Sequence, residues 1–403
     1  MKRVLVIATG GTIASAEEGS GLAPALTGEQ LVAAVPAVAQ LAEVAVSQVM
    51  NIDSTNMRPE GWLDIAAEIR RAWERFDGFV VLHGTDTLAY TAAGLSYLVQ
   101  GACKPIVLTG SQLPMGQPGT DGVRNVTDAV RVACDDAAAG VLVVFGGKVI
   151  AGTAARKVRT RDFVAFDSLN AADLGTVGES GVQWAAGARE LMAPRAHVDV
   201  AGENGEALSG RGGSSFGLVD GCVQIGEAAA GREGLPSDSA DGSLASERRE
   251  CASAIPAASG EGSAAASSLP RLFDTLNPRV MALKVTPGMD GRVVDALRPL
   301  CDALVVEAFG LGGIPEYAGV TDALLNWADA GKTLVMTTQC PFEGADLSVY
   351  EVGRAFCNRP GVLMGGAATT EALLAKTMWA LAQAERPDGT VDREKLAALF
   401  ASC

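Results

Sequence analysis

Two stretches of the chain place hydroxyls, glycines and a carboxylate directly after short apolar runs. The first is Val4–Ser15, VLVIATGGTIAS, in which four aliphatic residues lead into Gly10, Gly11 and Thr12. The second is Phe79–Thr87, where FVVL runs into His83-Gly84-Thr85-Asp86-Thr87. A threonine hydroxyl at a strand end becomes a nucleophile once a base or a cation lowers the cost of removing its proton. Two glycines ahead of it let the backbone turn sharply and leave room for a ligand. In the second stretch Asp86 can hold an ammonium group or orient a base, while Thr85 can attack or position a water. Each stretch also has a plainer reading. Thr12 can cap a following helix, the better reading of that segment alone, and Thr85–Thr87 can be the N-cap cluster of a helix starting at Leu88. Both roles can coexist, with Thr87 or Asp86 capping while Thr85 faces a cleft. Neither GxGxxG nor GxxxxGK followed by Ser or Thr occurs at Gly10, so a phosphate loop there has little support.

The elements that must position these residues follow from apolar spacing. Val4–Ile7, Val44–Asn51, Phe79–Leu82, Ile106–Thr109 and Val141–Phe145 are apolar runs. Runs such as Val4–Ile7, with no alternation, suit strands buried on both faces of a parallel sheet. Helices are expected between them: over Gln30–Leu41; from Pro59, with Trp62, Ile65, Ala66, Ile69 and Trp73 inward; with Leu88, Ala92, Leu95 and Val99 on one stripe; and after a capping Asp121, with Val123, Val126 and Val130. The alternation predicts an α/β fold, a larger N-terminal parallel-sheet domain with flanking helices whose strand ends form a polar crevice. The polar, glycine-rich stretch Ala16–Gly28 is expected to be a loop acting as a lid. A second series of runs, Val280–Val285, Ala303–Glu307, Thr333–Met336 and Val362–Met364, predicts a smaller C-terminal α/β domain. Its helices are expected over Thr321–Ala330, Glu371–Gln383 and Arg393–Phe400. Residues 201–269 are rich in Gly, Ser, Ala and Glu and read as a disordered insertion. The expected division is a catalytic domain over 1–200, this linker, and the smaller domain over 270–403.

Bulk properties narrow the function classes. A net charge of -15 in 403 residues argues against binding a nucleic acid backbone. The eight cysteines are scattered without a CxxC pair, which suits reduced thiols in the cytoplasm, and Cys340 is expected to be a buried thiol. With His83 and His197 as the only histidines, a zinc site is not expected, nor is any other metal. No apolar run reaches membrane-spanning length, and the opening MKRV run breaks at Gly10 without a cleavage motif. A soluble, cytoplasmic protein is the expectation.

TGGTIAS together with HGTDT resembles the bacterial-type L-asparaginases, more the cytoplasmic type I branch than the periplasmic type II branch. The resemblance continues through NIDSTNM (Asn51–Met57), LTGSQLP (Leu108–Pro114), ARKVRTRDFVAFDSLN (Ala155–Asn170), PGMD (Pro287–Asp290), TTQC (Thr337–Cys340) and SVYEVGR (Ser348–Arg354). It implies hydrolysis of the side-chain amide of L-asparagine to aspartate and ammonia, with no cofactor. By this resemblance Thr12 is the nucleophile that forms an acyl-enzyme, and Thr85, Asp86 and Lys157 are a second triad. Asp86, Ser54, Thr55 and Gly84 are implied to bind the substrate, with Tyr350 or Glu351 reaching in from a partner subunit of a homodimer or homotetramer. Without the resemblance, Lys157 among Arg156, Arg159 and Arg161 reads as a solvated charge, and Ser54 and Thr55 as a cap for the Pro59 helix. The chain departs from the family at one point: Ile13–Gln30 contains no tyrosine, and Leu22 stands where a lid tyrosine is expected. Two other readings of the resemblance are the asparaginase-like subunit of a tRNA-dependent amidotransferase and a non-catalytic amino-acid sensor. The first is disfavoured by the acidic balance and by a TGGTIAS that begins at Thr9, where such subunits carry a preceding domain.

Overall fold

The computed structural model describes residues 1–18, 21–24, 26–192 and 269–402. The larger sheet holds eight strands: β1 (Lys2–Gly10), β2 (Ala42–Ile52), β3 (Gly78–Leu82), β4 (Pro105–Thr109), β5 (Gly140–Phe145), β6 (Lys148–Ala151), β7 (Gly175–Gly178) and β8 (Gly181–Trp184). Their order is β8-β7-β6-β5-β4-β3-β1-β2. β2, β1, β3, β4 and β5 run parallel, as expected. β6, β7 and β8, which the apolar runs did not predict, are antiparallel and extend the mostly parallel sheet at one edge. A short connection explains the first reversal: Gly146 and Gly147, both at positive φ, join β5 to β6 directly, leaving no length for a crossover.

β1, β3, β4 and β5 lack alternation because each is buried on both faces. Leu5, Ile7, Phe79, Val81, Ile106 and Leu108 face one core, packed by helices α1 (Pro59–Ala72) and α2 (Leu88–Leu98). Val4, Val6, Val80, Leu82 and Val107 face the other, against α3 (Gly122–Ala133). Trp62, Ile65, Ala66, Ile69 and Trp73 are all buried, as their spacing predicts, and α1 opens with Pro59 in its first turn. On α3, Val126 and Val130 are buried but Val123 is exposed.

A second, smaller sheet consists of β9 (Val280–Lys284), β10 (Ala303–Ala308), β11 (Thr333–Thr338) and β12 (Val362–Met364), all parallel and in sequence order. Helix α4 (Val320–Asp329) covers one face through Leu324 and Trp327. Helix α5 (Thr370–Ala384) covers the other and also packs on α2, so its residues belong to the same core as the first sheet. Trp379 of α5 stacks on Tyr97 of α2 with ring centroids 6.0 Å apart, and Phe273 meets it edge-on at 5.3 Å. Helix α6 (Arg393–Ser402) packs against α5 through buried Leu396 and Phe400.

Local departures have local causes. Ala16–Gly28 is not an open loop: Ser15–Glu18 and Gly21–Pro24 pair as an antiparallel hairpin. Gln30–Leu41 is not one helix, because Pro36 separates Gly28–Ala33 from Val38–Leu41. The expected insertion lies outside the described residues up to 268.

The strand ends of β1 and β3 meet at a backbone contact. Gly11 has φ +85°, and a Cβ there would overlap the Gly84 backbone; a Cβ on Gly84 would lie 2.5 Å from Ser54 Oγ. His83, wholly buried, supports this contact. Its Nδ1 donates to the Gly84 carbonyl at 2.8 Å, so Nε2 accepts from Thr91 Oγ1 at 2.9 Å. Burial holds the imidazole down to about 4 from its ordinary 6.5, so it stays neutral.

Two outcomes follow. Gly11→Ala lowers unfolding free energy by more than about 2 kcal/mol, read by urea denaturation, because backbone and not a flexible side chain obstructs the methyl group. Between pH 6.5 and about 4 the unfolded chain protonates His83 while the folded chain does not. Stability from this residue is therefore full above pH 6.5 and falls by roughly 3 kcal/mol as pH drops through that window. The His83→Gln variant lacks that slope; parallel pH profiles for it and the wild type would assign the slope elsewhere.

Candidate active site

β1 and β3 are parallel neighbours, Ala8 opposite Leu82, so the segments leaving them emerge side by side. Gly11 touches Gly84, and Thr12 and Thr85 each come next in the chain, which brings the two threonines to one crevice. Thr12 opens a 3-10 turn, Thr12–Ala14, rather than capping an α-helix. Among the described residues its hydroxyl has no hydrogen-bond partner. Ser54, buried on the turn after β2, lies against Gly84, and its carbonyl accepts from Thr87 Oγ1 at 2.7 Å. Thr87 therefore ties two strand ends together and makes no side-chain cap for α2. Asp53 accepts from both the amide and the hydroxyl of Thr55 at 2.9 Å, fixing the Ser54–Asn56 turn. The N-cap position of α1 is Arg58, which makes no side-chain cap bond, so neither Ser54 nor Thr55 caps the helix.

Thr85 is 4% exposed. Its hydroxyl donates to Gln112 Oε1 at 3.2 Å and accepts from Lys157 Nζ at 2.7 Å. The same ammonium donates to Asp86 Oδ1 at 2.7 Å. Lys157 stands at the end of a three-residue strand, Ala155–Lys157, paired antiparallel with Phe166–Ser168. Its side chain is 18% exposed, whereas Asp86 is 57% exposed and keeps an open face. Lys157 is thus no solvated member of a basic run. Arg159 instead binds the Val164 carbonyl and Asp167.

Gln112 is a residue that motif reading passed over. Its side chain bridges Thr85 and the Asp162 carbonyl, and its amide, with that of Leu113, donates to the Asp121 carboxylate. Asp121 therefore braces the loop after β4 and does not cap α3 with its side chain. The signal was the polar Ser111-Gln112 step at the end of an apolar run. One other expectation changes. Cys340 is exposed, not buried, and among the described residues cysteines 134, 301, 340 and 357 are free thiols. Tyr350 and Glu351, at the start of the Glu351–Arg354 helix, are exposed and bond to none of Thr12, Thr85, Asp86 or Lys157 within the protomer. Among the described residues no three His, Cys, Asp or Glu side chains converge to hold a metal, and no helix is long and apolar enough to cross a membrane.

Comparison with known proteins gives this geometry a context. Residues 3–189 match the model of the asparaginase N-terminal domain, and residues 279–392 that of the glutaminase/asparaginase C-terminal domain. An L-asparaginase of Thermococcus kodakarensis is 30% identical over 381 residues, covering 94% of this chain and 92% of the relative. The solved structure of the thermostable L-asparaginase from that organism superimposes with a TM-score of 0.70 at 29% identity, covering 99% of this chain and 96% of that one. L-asparaginase 1 of Escherichia coli is 27% identical over 82% of this chain and 76% of its own length. A glutamyl-tRNA(Gln) amidotransferase component of Pyrococcus furiosus is 28% identical over 94% of this chain and 72% of its own. The two-threonine crevice thus sits in a chain that belongs to the asparaginase family.

Proposed function

We propose that the protein is a cytoplasmic L-asparagine amidohydrolase that works through a Thr12 acyl-enzyme. The observation that carries this reading is the Lys157 ammonium shared between Thr85 Oγ1 and Asp86 Oδ1, 2.7 Å from each, beside the Thr12 turn. Thr12 Oγ attacks the carboxamide carbon, and its proton goes to the departing nitrogen, which leaves as ammonia. Water then attacks the ester, and aspartate leaves with Thr12 restored. Backbone N–H groups near Thr12 and Thr85 stabilise the oxyanion. Lys157 stabilises negative charge as Thr85 or a water bound to it loses a proton, and Asp86 holds the lysine in place. The open face of Asp86 suits the substrate's α-ammonium. Ser54, Thr55 and Gly84 form the adjoining wall for its carboxylate end.

Free thiols at Cys134, Cys301, Cys340 and Cys357 support a reducing compartment. The acidic balance supports a small-molecule substrate over a nucleic acid. With no tyrosine in Ile13–Gln30, the proposed complement to the site is Tyr350 or Glu351 from a second copy in a homodimer or homotetramer. Exposed Phe342 and Tyr350, 59% and 56%, support such a contact. The amidotransferase reading rests on the likeness to the Pyrococcus furiosus protein, which leaves more of the relative's length uncovered than the asparaginase likeness does.

Purified protein is expected to release ammonia from L-asparagine without tRNA. Thr12→Ala and Lys157→Met are each expected to lower kcat by at least about a thousandfold with the circular dichroism spectrum unchanged. Full activity of Thr12→Ala would remove the nucleophile assignment, and release only with charged tRNA would favour the amidotransferase. Light scattering at assay concentration is expected to show a dimer or larger. A fully active monomer would refute the role given to Tyr350 and Glu351.

A further inference from the structure

A second charged cluster lies behind the Lys157 strand, at the junction with the smaller sheet. Glu371 is buried in the first turn of α5, its Oε1 3.6 Å from Arg156 Nε. Among the described residues its Oε2 accepts no hydrogen bond. Thr370 beside it donates to Glu307 Oε1 at 2.6 Å, at the end of β10, and Tyr90 of α2 feels both carboxylates. Arg156 immediately precedes Lys157. Neighbouring side chains on a strand leave on opposite faces, and here Lys157 reaches Thr85 and Asp86 while Arg156 reaches Glu371. A paired strand of three residues has few ladder bonds of its own to fix its direction.

We propose that Glu371 is a positioning residue for this site: through Arg156 it anchors the short strand that aims Lys157 at Thr85. A carboxylate in the first turn of a helix suits the positive helix end, and a buried carboxylate facing a single guanidinium is costly to leave unpaired. The two groups therefore hold each other, and the strand between them. The groups facing Glu371 are Arg156 from the strand, Glu307 from β10, Tyr90 from α2, and Thr369 of its own helix cap. Burial pushes the Glu371 carboxyl above its ordinary value and the Glu307 charge adds to the rise, while Arg156 opposes it. As pH falls, Glu371 therefore takes a proton ahead of an ordinary carboxylate, and the anchor weakens.

The inference deepens the hydrolase reading, and its test has one arm that does not depend on that reading. Lys157 acetylation by acetic anhydride is followed by peptide mass spectrometry, with Lys104, bonded to the Trp73 and Phe76 carbonyls, as internal reference. In Glu371→Gln, which keeps the side chain's shape, Lys157 labelling is expected to rise about threefold or more while Lys104 is unchanged. Arg156→Met should reproduce this, and Arg156→Lys should keep the wild-type protection. In the second arm, kcat for asparagine falls roughly tenfold in Glu371→Gln with KM within about twofold, and the acid limb of the wild-type kcat profile flattens. Unchanged Lys157 labelling, or a parallel rise at Lys104, overturns the proposal. A wild type that releases no ammonia defeats the hydrolase reading alone, and the labelling arm still decides this one.

Discussion

The contact between the Gly11 and Gly84 backbones is the constraint on which the site depends. Two adjacent parallel strands end in turns so close that neither residue has room for a side chain. The contact sets the separation of Thr12 and Thr85 by van der Waals packing of main chain, which is stiffer than any side-chain arrangement. Ser54 closes on the same glycine from β2, and His83 holds the Gly84 carbonyl from beneath. Three strand ends and one buried imidazole are thereby locked together.

The charges are arranged around that rigid centre with unequal exposure. Lys157 is mostly covered and Asp86 largely open, so the ion pair has one face turned inward to Thr85 and one toward solvent. A shielded ammonium acts more strongly on a developing oxyanion than a solvated one, since fewer waters screen it. The open carboxylate keeps capacity for a second cation. His83 contributes no charge, because burial keeps its imidazole neutral.

What could be read from the sequence was whatever depended on burial. Val4–Ile7 and Phe79–Leu82 announce themselves because both of their faces meet a core, and the Trp62–Trp73 stripe because one face does. The edge of the sheet was not legible. β6, β7 and β8 are short, and Gly146-Gly147 marks a turn without declaring that the next strand runs back. Asp121 shows a similar ambiguity: its type suits an N-cap, yet the loop amides of Gln112 and Leu113 claim its oxygens. Lys157 shows the limit for charges. Nothing in a run of basic residues distinguishes the one turned inward, because its partner lies about seventy positions away in the chain. The family motifs identified it; local pattern could not.

The stacking of Trp379 on Tyr97 has a consequence for how the molecule behaves as a material. Because α5 seals the smaller sheet and shares its core with α2, there is no dry seam along which the two sheets can part. That shared core couples the packing of the two sheets, although the smaller sheet keeps a second core of its own under α4. A packing lesion on the α5 face therefore falls in the same core that backs the strands carrying Thr12 and Thr85.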